Sequence, residues 1–166
     1  MKKLSEKEAF EKIIIFCNYR ERSSKEVLIK LSSFGYDSNT SKKIIDKLKK
    51  INMINDLRFS KSFARGKFKI NKWGKSKIKS YLINKGISEN EITQGLESID
   101  NEIYLETLKS LLINKKKTIK KEEVKLKKQK LFNYLHQKGY EKNLIFDSIN
   151  RYMWYQLTID LLCNLK

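Results

Sequence analysis

Across 166 residues, 37 Lys and Arg stand against 19 Asp and Glu, a formal net charge of +18 that favours polyanions or acidic protein surfaces as partners and disfavours cationic ones. With no proline, only 6 glycines, little Val or Thr and an apolar content of 40%, the composition predicts a soluble all-α protein able to bury a core. Cys17 and Cys163 form no CxxC pair, the apolar run from Ile13 to Cys17 is too short for a signal-peptide core, and no stretch approaches the roughly 20 apolar residues of a membrane span. Neither a disulfide framework, a cysteine metal site nor a membrane-spanning helix is indicated, and a cytoplasmic, reducing setting is the default expectation.

The first helical signal is a capping box, Ser5-Glu6-Lys7-Glu8, followed by Ala9, Phe10, Ile13, Ile14 and Cys17 at helical spacing. Beyond it the chain repeats itself. Three segments align on their glycines: Lys30 to Tyr36 around Gly35, Tyr81 to Ile87 around Gly86, and Tyr134 to Tyr140 around Gly139. The glycines are 51 and 53 residues apart. Eight positions before each glycine stands Val27, Ile78 or Leu131, and four before it Leu31, Leu82 or Leu135. A bulky Tyr36, Ile87 or Tyr140 follows it; Ile45, Leu96 and Ile149 come ten positions later, and Leu48, Ile99 and Tyr152 thirteen later.

Spacings of eight and four put these apolar residues on one helix face, and a glycine just past the last turn is the usual left-handed cap. A second helix then starts, opened in the middle copy by the capping box Ser88-Glu89-Asn90-Glu91. A further helix precedes each pair. Asp56 is the expected cap of the second of these, which carries Phe59 and Phe63, and Leu105, Leu108 and Leu112 mark the third. The expected organisation is three tandem three-helix repeats, residues 1–55, 56–100 and 101–154, with a C-terminal extension over 155–166. Units this small bury their apolar faces against neighbours, so an elongated, curved array is expected, better matched to a polymer than to an enclosed small substrate.

Catalytic signals are weak. Trp73-Gly74-Lys75-Ser76 ends like a phosphate-binding loop, but Lys69 stands where that motif needs a glycine and no strand precedes it, so Gly74 reads as a helix-start glycine beside an anchoring tryptophan. His136 is the only histidine, one position from the Leu135 packing face, and reads as a solvated or rim residue. Glu122 and Glu123 sit in a charged stretch and read as wet helix surface. No enzyme, cofactor or metal is expected. Two basic stretches carry the functional signal. Leu57 to Ser88 holds ten Lys and Arg and no acid, interleaved with Phe59, Phe63, Phe68, Trp73 and Tyr81; Asn114 to Lys130 holds nine lysines. A one-signed strip is the footprint of phosphate or acidic-surface binding, which weakens with salt. After Arg151, Tyr152 to Cys163 extends the apolar character, which reads as packing of a final helix or as a self-association patch.

Tyr19-Arg20-Glu21-Arg22-Ser23 resembles the Arg-Arg-Glu-Arg-Ser signature of the RecX family, regulators of the recombinase RecA. Ile54-Asn55-Asp56-Leu57-Arg58-Phe59-Ser60 and the block from Trp73-Gly74-Lys75 through Lys85-Gly86-Ile87 are similar to further family segments, and the resemblance runs from residue 5 to about 152. Departures are Tyr19 in place of the first basic residue, Asn55 in place of an acid, a lysine-rich third unit and the tail beyond Tyr155.

The resemblance implies a non-enzymatic regulator in homologous recombination, DNA repair and the SOS response. It would bind RecA or the RecA–DNA filament and dampen recombinase, ATPase and coprotease activity, with single- or double-stranded DNA as an auxiliary partner and the chain itself a monomer. The candidate contact residues are Arg20, Arg22, Arg58, Lys61, Arg65, Lys67, Lys69, Lys72, Trp73, Lys75, Lys77 and Lys79. The alternative is a DNA-binding helix-turn-helix protein acting without RecA, although no helix of the repeat is rich in base-reading side chains. A scaffolding repeat protein is the third option.

Overall fold

The computed structural model describes residues 5–119 and 123–151, with only the backbone of Glu6. Glu122, Tyr152, Cys163 and the extension over 155–166 lie outside the described residues. The described residues are all-α and contain no strand. The helices are α1 (Glu6–Tyr19), α2 (Ser24–Ser33), α3 (Ser38–Lys50), α4 (Asp56–Asn71), α5 (Lys75–Asn84), α6 (Glu89–Glu97), α7 (Asn101–Lys117) and α8 (Val124–Lys138). A further helical stretch, α9, spans residues 142–151. The chain divides into two units. One runs up to Gly66 and takes in Lys79–Ser98; the other joins Lys67–Ile78 to the residues from Ile99 onward.

The glycine columns of the sequence correspond to one local structure built three times. Gly35, Gly86 and Gly139 have φ of 87°, 75° and 90°, the left-handed region open to glycine without a Cβ clash. The amide after each glycine donates back to the carbonyl of the leucine four positions before that glycine: Tyr36 to Leu31 at 3.3 Å, Ile87 to Leu82 at 3.2 Å and Tyr140 to Leu135 at 3.2 Å. Those leucines are fully buried, as are Val27 and Ile78, with Leu131 nearly so. Each such side chain contributes about 1.5–3 kcal/mol of burial free energy. The same leucine thus supplies a core side chain and the acceptor that closes its helix.

The helix starts follow the capping logic of the sequence and add to it. Ser5 with Glu8 and Ser88 with Glu91 form the expected boxes, and Ser23 with Glu26 forms another at the start of α2. For α4 the cap differs from expectation. Asn55 Oδ1 accepts the Arg58 amide at 2.9 Å, so Asn55 is the N-cap and Asp56 the first helical residue. The Asp56 carboxylate is taken elsewhere: it accepts the Ser24 amide at 2.8 Å and hydroxyl at 2.5 Å, and the Lys49 ammonium lies 2.9 Å away.

A second contact also recurs, once in each unit. In the first, Ser23 Oγ donates to the Lys85 carbonyl at 3.1 Å and Lys25 Nζ to the Asn84 carbonyl at 3.0 Å, fixing the start of α2 on the end of α5. In the other, the Gly74 amide donates to the Lys138 carbonyl at 2.8 Å, the Ser76 amide to the Gly139 carbonyl at 3.1 Å and Lys77 Nζ to the Gln137 carbonyl at 3.3 Å, fixing the start of α5 on the end of α8. Ser23 and Gly74 are 51 residues apart, the spacing of Gly35 and Gly86. Where serine reaches with its side chain, glycine brings its backbone: a Cβ at Gly74 would lie 2.2 Å from the Gly139 carbonyl carbon.

Two carboxylates clamp the first unit. Burial pushes Glu26 and Asp56 upward. Hydrogen bonds outweigh it, from Lys85, Arg20 and the Ser23 amide for Glu26, and from Ser24 and Lys49 for Asp56, and leave both below the ordinary carboxylate values. A group depressed in the folded state contributes stability above its unfolded pKa and loses it as pH falls through the folded one. Urea denaturation is therefore expected to show stability falling as pH drops from about 5 to about 3. The fall is expected to be shallower in Asp56→Asn than in the parent; an identical pH profile in that variant would contradict the role given to Asp56.

Candidate functional site

The cations that the sequence marks as contacts separate into those occupied by the fold and those left available. In the first unit, Arg20 Nη2 lies 3.0 Å from Glu26 Oε1. The Arg22 guanidinium sits 3.7 Å from the Phe16 ring centroid and donates from Nε to the Phe16 carbonyl at 3.1 Å. Burial lowers the Arg22 pKa, with Arg20 nearby adding to the effect. Arg58 makes a 2.6 Å ion pair with Glu21 and donates to Asn52 Oδ1 at 3.0 Å, to the Asn52 carbonyl at 3.1 Å and to the Met53 carbonyl at 3.4 Å. It thereby ties down the turn between α3 and α4, where Asn52 holds a φ of 55°. Lys79 pairs with Glu89 at 2.9 Å. The motif Arg20-Glu21-Arg22-Ser23 is thus a hub of internal contacts.

The side chains of Lys61 and Arg65, one turn apart on α4, have no ion pair or hydrogen bond among the described residues. With Arg58 and Ser62 they line a cleft of about 380 Å³ that also includes Glu21 and Asn55. Glu21 is already engaged by Arg58, so the charge left in this cleft is positive.

The second unit carries a patch centred on half-buried Trp73. Lys67 Nζ and Lys77 Nζ lie 5.1 Å and 4.8 Å from its ring centroid, within cation–π range. Lys75 Nζ donates to Asn101 Oδ1 at 2.7 Å and lies 4.9 Å from the Tyr104 ring centroid. Lys69 and Lys72 are exposed, and their side chains have no ion pair or hydrogen bond among the described residues.

Gly74-Lys75-Ser76 cannot cradle a phosphate here. Its three amides are used by the Lys138 carbonyl, by Tyr104 Oη at 2.9 Å and by the Gly139 carbonyl. Tyr104 in turn donates to Glu141 Oε2 at 2.7 Å, and burial raises its pKa. His136 is exposed and stacks on Phe132, with ring centroids 5.6 Å apart. Among the described residues no group of three His, Cys, Asp or Glu could hold a metal ion, and no helix is long and apolar enough to cross a membrane.

Lys25 and Tyr104 are positioning residues that carry no sequence signal, while Ser23 entered only as the last residue of the Arg20-Glu21-Arg22-Ser23 motif. Only Ser23 carried a local signal, the Ser-x-x-Glu spacing to Glu26.

Comparison with known proteins places this geometry in a family. Residues 55–96 match the family model described as RecX, second three-helix domain. The regulatory protein RecX of Clostridioides difficile is 30% identical over 143 residues, 86% of this chain and 67% of that protein. The chain belongs to the RecX family. The regulatory protein RecX of Clostridium perfringens is 35% identical over 122 residues, and there the chain spans 57% of the relative's length. The crystal structure of RecX from Lactobacillus salivarius superposes with a TM-score of 0.80 over 87% of this chain and 94% of that one at 24% identity, so the all-α arrangement is a RecX fold.

Within this RecX fold, Arg58 serves the turn before α4. Arg58→Ala is expected to lower the stability of the chain by about 1–3 kcal/mol in urea denaturation, the range for lost charged hydrogen bonds. Unchanged stability in that variant would show that Arg58 is not part of the frame.

Proposed function

We propose that this chain binds RecA, or the RecA filament on DNA, and dampens the recombinase, ATPase and coprotease activities that depend on the filament. Membership of the RecX family supports the regulatory role. The observation that carries the contact assignment is the sorting of cations within the acid-free stretch from Leu57 to Ser88. Arg58, Lys75, Lys77 and Lys79 have their charged ends engaged by other groups of the chain, while the side chains of Lys61, Arg65, Lys69 and Lys72 have no hydrogen bond or ion pair among the described residues. An unpaired cation loses no internal partner when it meets a carboxylate or phosphate, so its attraction is fully available to a ligand. Lys61 and Arg65 in the first unit, and Lys69 and Lys72 in the second, are therefore the proposed contacts. Arg20, Arg22 and Arg58 act indirectly by holding the frame. DNA phosphate is the auxiliary ligand of the same side chains.

The test is inhibition of RecA ATP hydrolysis on single-stranded DNA. Lys61→Glu, Arg65→Glu, Lys69→Glu and Lys72→Glu together are expected to raise the concentration needed for half inhibition at least about tenfold, some 1.4 kcal/mol of lost binding. The matched reversal of exposed Lys42, Lys43, Lys125 and Lys128 is expected to leave it within about threefold, less than 1 kcal/mol. Equal loss in both variants would reduce the effect to net charge. Tight duplex binding by a parent chain that leaves RecA ATP hydrolysis untouched would favour a DNA-binding protein acting without RecA.

A further inference from the structure

The cleft beside the start of α4 mixes chemistries that net charge alone does not describe. Lys61 and Arg65, about 6 Å apart along the helix, bring two cations whose side chains have no hydrogen bond or ion pair among the described residues, and Ser62 adds a hydroxyl in the same condition. Glu21 lines the same cleft. Arg58 holds one of its carboxylate oxygens at 2.6 Å, yet the side chain is still 33% exposed, so it can accept further hydrogen bonds. Half-buried Leu57 contributes an apolar stretch. All of these residues belong to the first unit, and the volume of about 380 Å³ is at the small end of the range for ligand sites, roughly 300–1,000 Å³.

Resting on the RecA reading for the identity of the partner, we propose that this cleft seats an acidic segment of that protein, a carboxylate next to an aliphatic side chain, in preference to the phosphate backbone of DNA. Lys61 and Arg65 attract both anions, so the choice falls to the residues around them. Leu57 gains only from an apolar neighbour, which a peptide supplies and a phosphodiester chain does not. Glu21 repels each phosphate of a passing strand, but it accepts from the main-chain amides that a peptide carries and a phosphodiester lacks. The Ser62 hydroxyl can donate to a peptide carbonyl or carboxylate in the same way. A single carboxylate can take two parallel hydrogen bonds from the Arg65 guanidinium, with the Lys61 ammonium one helical turn away as a second charge. The held Glu21–Arg58 pair gives the cleft one fixed wall, which lowers the cost of ordering a bound segment.

Zero-length cross-linking of the full chain on RecA filaments separates the two anions. A carbodiimide activates a carboxylate for attack by a lysine amine, forming an amide, and leaves internal phosphodiesters unjoined. Mass spectrometry is expected to find Lys61 joined to an Asp or Glu of RecA, with exposed Lys42 and Lys43 of the same unit joined at least about tenfold less. Lys61→Arg, which keeps the charge without the amine, is expected to lose that cross-link while inhibiting RecA ATP hydrolysis within about threefold of the parent. Leu57→Ser is expected to raise the concentration for half inhibition at least about threefold and to leave binding of a labelled oligothymidylate unchanged. Should Leu57→Ser unfold the chain, Leu57→Ala provides the same reading. Inhibition without a Lys61 cross-link, or indifferent to the Leu57 substitution, overturns the proposal and leaves the RecA reading standing. A Lys61→Glu, Arg65→Glu chain that loses oligothymidylate binding as fully as inhibition puts phosphate in the cleft and overturns it too. A parent chain that neither inhibits nor cross-links overturns both.

Discussion

The structure depends on how helix ends are closed. Helices of ten residues, such as α2 and α5, are too short to hold themselves in water, and each leaves unpaired carbonyls at its end and unpaired amides at its start. Here one solution serves both. The left-handed glycine turns the chain so that the next amide reaches the buried leucine carbonyl, and the carbonyls just past that point then accept from the start of another helix. Lys85 receives Ser23 Oγ, while Lys138 and Gly139 receive the amides of Gly74 and Ser76. Hydrogen bonding that would otherwise go to solvent becomes a joint, and the joint appears once in each unit, between residues 62 apart in the first and 64 apart in the second.

This arrangement sets the fate of the charges. Residues close to the joints and turns have carbonyls, carboxylates and rings within reach, and Arg20, Arg22, Lys25, Arg58, Lys77 and Lys85 are used there. Lys61, Arg65 and Lys69 of α4 and Lys72 just past its end make no such side-chain pair among the described residues, and they remain as surface charge. A net charge of +18 thus overstates what a ligand can meet, because part of it is neutralised within the frame. An exposed pair such as Lys79–Glu89 contributes little to stability by itself; its effect is on which cations stay open.

Much of the fold was legible because its determinants are local. The leucine-glycine-bulky columns specify side-chain burial, left-handed turn and cap within a few residues, and Gly35, Gly86 and Gly139 all adopt the expected conformation. The capping boxes at Ser5 and Ser88 were legible for the same reason. Asp56 was misread as a cap because the residue that claims it, Ser24, lies 32 positions upstream, and Asn55 took over the local role. Gly74 showed as a helix-start glycine, but its need for close approach comes from Gly139, remote in sequence. The candidate site was legible as a stretch and not residue by residue. Sequence displays sign and density of charge; which cations are consumed depends on Glu21, Phe16, Gln137 and Asn101, whose proximity only the fold creates.

Native-state hydrogen exchange at the Gly74 and Ser76 amides tests the joint most directly. Amides at a helix start normally exchange quickly, having no acceptor within their own helix. If the Lys138 and Gly139 carbonyls hold them, both are predicted to be protected to the level of mid-helix amides of α5 such as Leu82. Exchange at the rate of solvent-exposed first-turn amides would contradict the account.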